Sequence, residues 1–536
     1  MTALHSLLRV TDPGRWRSAA LAWRRWSALA GALSTEFGAL AARIRASWSG
    51  RAGSAAVAAL GDARHRIALF RVFCWRADQA LSEFAAALAR ARQLLDRARS
   101  RAAGAGLVID DAGTVHGRSS ELPRVAADLS AALGLAAAAD AEAADRLDAL
   151  CATAAGQVGA PGGIGTPGAT GGAPGWIGTP GATGGAPGAT GALGPAAGPG
   201  PDCAAGPAEV RRWWAALTPV QRDWLLATAP ATLAARAGIP AADRDVANRM
   251  LLDDRRLPGE RPVAGLAELG ARLDDEAGLR PYLLSLDVSN DGRAVVALGD
   301  PDRARHVLTH VPGMTSDLDS AGGELTRAER VAVRAGELAP DRAVSAVLWL
   351  DYDAPDFVHE AFSDRQARDG AEGLRRFQES LRVTHEGPAA HQTVLGHSYG
   401  SLVVGAAAAG PFAADEVVFV GSPGVGVDAA AGLAVPPDHV WSTTSRTDVI
   451  QYAAVSPRGL PGDLALAGVP LIGPALAFGT PERDLWFGRN PSDTGFGAQV
   501  FASQADAGHL GYWDPGRPAL DALARITLDQ APVTRR

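Results

Sequence analysis

Apolar residues in the first hundred positions recur at helical spacing, first at Leu21, Trp26, Leu29, Leu33, Phe37 and Leu40 and then at Leu69, Phe70, Phe73, Ala80, Leu81, Phe84 and Leu88. The pattern predicts two long helices over about 14–103, with Trp48-Ser49-Gly50 between them and the second run under way by Asp62. After a short extended piece at 106–111, a third helix is expected from about 121 to 155, so residues 1–155 read as an all-α hairpin or bundle domain.

From Pro207 the chain presents further helices, one carrying Val210, Trp213, Trp214 and Leu217, and then the period shortens. Strands are expected at 282–288, 294–298, 307–311, 343–350, 393–395, 416–420, 440–444 and 499–502. Asn290-Asp291-Gly292 marks a hairpin between the first two. Helical patterns at 327–337, 364–382 and 401–409 alternate with the later strands, and such alternation predicts an α/β architecture: an antiparallel hairpin leading into a mostly parallel sheet over 207–536.

Residues 156–206 have neither period. A 13-residue unit rich in Gly, Pro, Ala and Thr begins at Ile164 and recurs at Ile177, and such a segment buries too little apolar surface to offset the entropy of ordering it. It reads as a disordered linker. Most of the chain's excess of Gly and Pro is concentrated there, and the overall 47% hydrophobic and 20% charged content excludes a chain disordered throughout.

Charge adds exclusions. All 51 basic residues are Arg, against 58 acidic ones, and a net charge of -7 gives no nucleic-acid footprint. Cys74, Cys151 and Cys203 have neither metal spacing nor a disulfide framework. Early charges at Arg9, Asp12, Arg15 and Arg17 exclude a signal peptide, and the apolar run 464–478 is broken by Gly468, Pro470, Gly473 and Pro474, so no transmembrane segment is expected.

The sharpest chemical signal is Gly396-His397-Ser398-Tyr399-Gly400, a G-x-S-x-G pattern. In so Gly-rich a chain the pattern alone is a weak signal, and its context decides. Thr393-Val394-Leu395 supplies a strand directly before it and Ser401-Leu402-Val403-Val404 a helix directly after, the setting that projects a serine hydroxyl above a sheet edge. Ser398 is therefore the candidate nucleophile, with Gly396, His397 and Gly400 shaping the elbow. A serine hydroxyl needs a base and an orienting acid, which in this type of fold follow it in the order acid, histidine. Of the two histidines beyond Ser398, His509 lies in a Gly-flanked loop after the last strand and is the candidate base, whereas His439 precedes a strand and reads as structural. Asp448, just beyond the strand at 440–444, is the candidate acid, with Asp428 and Asp506 as competitors. Tyr399 N–H is expected in the oxyanion hole, joined by Met314 or Gly313 from the loop after 307–311.

These residues, with Trp213-Trp214, Gly238-Ile239-Pro240, Arg244-Asp245, Asn248-Arg249, Val311-Pro312-Gly313 and Gly508-His509, make residues 207–536 resemble a largely uncharacterised α/β-hydrolase family typical of actinobacteria. The resemblance implies an α/β-hydrolase core, a Ser398-Asp448-His509 triad and no cofactor or metal. The expected function is a serine hydrolase acting on an ester or related acyl bond. Leu-, Ala-, Pro- and Gly-rich residues 450–490, with Trp486 and Phe487, point to a small acyl ester or lipid-like substrate. The N-terminal hairpin is similar to small Trp-x-Gly helical proteins handled by type VII secretion, which implies a helical partner through residues 14–103 or an exported effector. The Tyr-x-x-x-Asp/Glu signal of that route is missing, since no Tyr precedes Tyr282. A cytoplasmic protein, with type VII-like export as the alternative, is the expectation. A non-catalytic binding protein on the same fold is a further alternative.

Overall fold

The computed structural model describes residues 2–158, 200–202, 204–257, 263–275, 278–357, 360–450 and 484–532. The 13-residue repeat, Cys203 and most of the apolar stretch 450–490 lie outside them. Helix α1 (Thr2–Val10) precedes the long hairpin of α2 (Pro13–Ser47) and α3 (Arg51–Gly104). Asp12 caps α2 by accepting from Gly14 N–H, and Gly50, at φ +97°, makes the turn predicted at Trp48-Ser49-Gly50. The extended piece becomes a two-residue ribbon, β1 (Val108–Ile109) against β2 (Val115–His116), before α4 (Leu122–Val158). Among the described residues, α4 is the one helix long and apolar enough to cross a membrane, and its Leu129, Ala132, Leu133 and Ala136 are buried with Leu88, Leu94 and Leu95 of α3.

The second half opens with α5 (Pro207–Ala216), α6 (Pro219–Thr228), α7 (Pro230–Leu233), α8 (Ala241–Arg255) and α9 (Leu266–Asp274). The sheet then builds from β3 (Pro281–Asp287), β4 (Arg293–Leu298), β5 (His306–Val311), β6 (Val344–Leu350), β7 (His391–His397), β8 (Glu416–Val420) and β9 (Val440–Thr443). A small ribbon, β10 (Asp484–Leu485) with β11 (Gly488–Arg489), precedes the edge strand β12 (Gln499–Val500). All eight predicted strands pair in one sheet, in the order β12-β9-β8-β7-β5-β6-β4-β3. β3, β4 and β6 pair antiparallel and the remaining ladders are parallel. Near-continuous burial of β5 to β9 is the signature of a parallel sheet covered on both faces. The covering layers are α10 (Ala321–Leu338) with α13 (Pro518–Thr527) on one face and α11 (Arg365–Thr384) with α12 (Tyr399–Ala408) on the other.

The apolar stripe that marks α2 in the sequence faces outward: Trp26, Leu29, Leu33 and Leu40 are 56, 60, 46 and 37% exposed, and the face turned inward carries Ala20, Arg24, Ser27, Ala30 and Gly31. The cause is what α2 and α3 pack against. Asp78 of α3, fully buried, accepts from Arg24 Nε at 2.6 Å and from Arg280 Nη2 at 3.0 Å; the same Arg280 nitrogen donates to Asp245 Oδ2 at 2.9 Å, and Arg249 Nε donates to Asp245 Oδ1 at 3.0 Å. Trp75 lies under the Arg249 and Arg24 guanidinium groups and joins Val72 in one apolar cluster with Val210, Trp214 and Leu226. Small residues and satisfied charges win the inner face because the helical hairpin is bolted to the α/β half through ion pairs.

Candidate active site

Strand β7 runs directly into the elbow and α12 starts at the next residue, so Ser398 caps that helix at its positive end. Its backbone, at φ +53° and ψ −129°, lies where non-glycine residues are strained, and it is held there by Ser398 N–H donating to Val420 O at 3.0 Å and accepting at its own carbonyl from Ser401 N–H at 3.0 Å. The flanking glycines have no room for a side chain. A Cβ on Gly396 would lie 2.5 Å from Ser401 Cα, and one on Gly400 would lie 2.2 Å from Val311 O.

Asp448 is fully buried, and His509 Nδ1–H donates to its Oδ1 at 2.8 Å. Ile450 N–H donates to the same oxygen at 2.9 Å, and Tyr512 Oη donates to Oδ2 at 2.5 Å. The loops carrying the pair are laced together, with Gly508 N–H donating to Thr447 Oγ1 and Thr447 N–H to Ala505 O. The competitors are elsewhere: exposed Asp506 accepts from Arg517, and Asp428 accepts from Arg489 N–H. His439 pairs with Glu416 on the other rim of the sheet.

Gly421 links the strand end that holds the Ser398 backbone to the His509–Asp448 pair. This residue follows Val420, the acceptor for Ser398 N–H, and at φ +54° a Cβ would stand 2.6 Å from Asp448 Oδ2 and 3.2 Å from His509 Nδ1. Ser398 Oγ itself makes no hydrogen bond to the described residues. Gly313 passes over the serine so closely that a Cβ there would lie 2.7 Å from Ser398 Cβ. Tyr352 Oη donates to Pro312 O at 2.7 Å and fixes that loop. The N–H groups of Tyr399 and Met314 donate to no other described group, which leaves both available to an oxyanion.

Sequence reasoning did not single out Gly421, Tyr352 or the role of Tyr512. Gly421 follows a strand like many glycines, and its neighbours in space come from residues 448 and 509. His397 proves to be more than an elbow residue. Its ring stands edge-on to Trp513 at 4.8 Å, and its Nε2–H donates to His509 O at 2.9 Å. Burial, reinforced by His509, holds this imidazole well below the usual histidine range and therefore neutral. The Arg244-Asp245 and Asn248-Arg249 motifs do not approach the serine; they lie in α8 within the ion-pair network or against Ala234 O.

Residues 287–457 match a family model described as alpha/beta hydrolase, a span containing the elbow and Asp448 but ending before His509. The chain is also 33% identical over 234 residues to uncharacterized protein Rv0963c of Mycobacterium tuberculosis, covering 39% of this chain and 87% of that relative. The chain belongs to the alpha/beta-hydrolase family. Uncharacterized protein Mb0988c of Mycobacterium bovis matches to the same extent. A longer relative, uncharacterized protein Rv2079 of Mycobacterium tuberculosis, is 30% identical over 383 residues, 61% of this chain and 56% of its own length. The chain thus spans about half the length of that longer relative. The antiparallel entry through β3 and β4 into a mostly parallel sheet is the architecture that the strand and helix pattern of the sequence predicts.

Proposed function

We propose that this α/β-hydrolase-family chain is a serine hydrolase that cleaves an ester or related acyl bond. The observation that carries the reading is a strained, helix-capping Ser398 on the same sheet rim as the hydrogen-bonded His509–Asp448 pair, with Gly421 packed against both. In this scheme Ser398 Oγ attacks the carbonyl carbon while His509 Nε2 accepts its proton, and buried Asp448 steadies the resulting imidazolium. The tetrahedral oxyanion is met by Tyr399 N–H and by Met314 N–H, with Gly313 as the alternative second donor. Collapse passes the proton to the leaving alkoxide; water, deprotonated by His509, then frees the acid from Ser398.

An apolar acyl group fits the surroundings. Phe357, Phe362, Val449 and Leu510 are 61, 42, 65 and 57% exposed, and Val449 and Leu510 directly follow Asp448 and His509. Phe362 packs against Trp486 with tilted rings 4.5 Å apart, while Tyr399 Oη donates to Ser363 O and ties that segment to the elbow. Exposed large side chains next to the proposed acid and base would provide an apolar seat. Labelling with a fluorophosphonate probe tests the nucleophile: wild type should label and Ser398→Ala should not. Full labelling of Ser398→Ala refutes the scheme, and an ester panel of increasing acyl length then tests the apolar seat.

A second reading, that the N-terminal helices also engage a helical partner, is favoured by the outward stripe of Trp26, Leu29, Leu33 and Leu40. Recovery of the protein outside its host cells, lost on Leu29→Glu/Leu33→Glu substitution without loss of ester cleavage, would support it.

A further inference from the structure

The rim of the sheet opposite the serine gathers a second group of ionisable side chains that hydrolysis does not use. His391 is the first residue of β7, Glu416 the first of β8, and His439 immediately precedes β9. Asp529 joins them from the turn just past α13. One ligand atom from each of His391, Glu416 and Asp529 lies within 4.8 Å of the other two.

Glu416 is only 4% exposed and its carboxylate is held from two sides, by His439 Nδ1 at 2.8 Å from Oε1 and by Trp441 Nε1 at 2.6 Å from Oε2. His391 Nε2 is buried with no hydrogen-bond partner among the described residues. Asp529 adopts φ +56°, a strained conformation for a non-glycine residue, and its carboxylate makes no hydrogen bond or ion pair to another described residue. Arg342 does not neutralise it; that side chain donates instead to Leu528 O and steadies the turn. A buried imidazole nitrogen without a partner is costly, and a cation held by His391, Glu416 and Asp529 would satisfy it.

We propose that His391, Glu416 and Asp529 form a divalent transition-metal site of the zinc class. One imidazole nitrogen and two carboxylate oxygens suit zinc better than magnesium or calcium, which take more oxygen ligands. The hydrogen bonds from His439 and Trp441 supply the outer shell that fixes a ligating carboxylate. Metal–ligand bonds of about 2.0–2.2 Å require the three atoms to draw together, and the exposed Asp529 turn is the element free to move inward. The fourth position falls to water. Seven residues of extended β7 separate His391 from Ser398, about 23 Å, so the ion would clamp the C-terminal turn to the sheet and take no part in acyl transfer.

The test uses tag-free, full-length protein stripped with a chelator and titrated with Zn2+ alone, in wild type, His391→Ala and Asp529→Asn. One equivalent should bind wild type, with affinity at least about tenfold weaker in both variants, and zinc should raise the melting temperature of wild type by several degrees and that of the variants little. Asp529 is exposed, so metal-free Asp529→Asn should melt like metal-free wild type and report on binding alone. Absence of stoichiometric binding to wild type, or equal binding and equal thermal shift in Asp529→Asn, overturns the proposal. Fluorophosphonate labelling should be the same with and without zinc, so the outcome is independent of the proposed hydrolysis.

Discussion

His397 Nε2–H donates to the main-chain carbonyl of His509 at 2.9 Å, so the residue before the nucleophile fixes the backbone of the residue that would serve as its base. Because a carbonyl can only accept, the bond also sets the tautomer of His397, with its proton on Nε2. Replacing His397 with Ala should lower kcat/KM for a short-chain ester by at least about tenfold, through a base displaced from the nucleophile. His397→Gln, which retains an N–H donor, should recover part of that loss. Rates of both variants, measured beside their circular dichroism spectra, check this.

Gly421 offers a sharper case. Alanine there adds one methyl group, but at φ +54° and 2.6 Å from Asp448 Oδ2 that methyl must displace the acid or distort the strand end. Gly421→Ala should lose about a hundredfold or more in fluorophosphonate labelling rate while remaining folded. Unchanged labelling would remove Gly421 from the site.

Tyr512 completes the cage round Asp448, donating from Oη to Oδ2 at 2.5 Å while accepting from Ser445 N–H at 2.8 Å. Tyr512→Phe keeps the ring and strips one donor from a fully buried carboxylate, a loss of about 1–3 kcal/mol. Chemical denaturation should show that loss, and ester turnover should fall with it.

The interface between the two halves has a defined acid response. Burial opposes the charge on Asp245, but Arg280 and Arg249 outweigh it and hold the carboxyl at about 2, below its ordinary 3.8. A carboxyl depressed by folding stabilises the protein above its unfolded value, and that contribution, about 2 kcal/mol, disappears as pH falls from about 4 through 2. Glu324, held at about 2 where His310 and Arg327 overcome its burial, adds to the same window. Melting temperatures from pH 5 to 2 should therefore fall more steeply for wild type than for Asp245→Asn. The variant should be several kcal/mol less stable at pH 7, where it leaves Arg280 and Arg249 short of a counter-charge.

What the sequence made legible follows from distance along the chain. The eight strands and the elbow are written in contiguous residues, where β-branched runs, turns and helix starts declare themselves locally. The orientation of α2 is not, because periodicity locates an apolar stripe without saying which face finds a partner, and here Asp78 and Asp253 draw Arg24 and Ser27 inward. Gly421, Tyr352 and the His391–Glu416–Asp529 group are illegible for a related reason. Each acquires its meaning from neighbours that the sheet register supplies, tens of residues away.

The ion pairs that join Asp78 to Arg280 bridge 202 residues of chain and make no use of the peptide that connects them. The two halves should therefore behave as complementing fragments: a cut introduced between positions 159 and 199 is expected to leave them associated through gel filtration, with labelling at Ser398 intact. Expressing the C-terminal fragment by itself should instead give an insoluble or unstable product, since Arg280, Asp245 and Trp214 would meet water where they now meet α3.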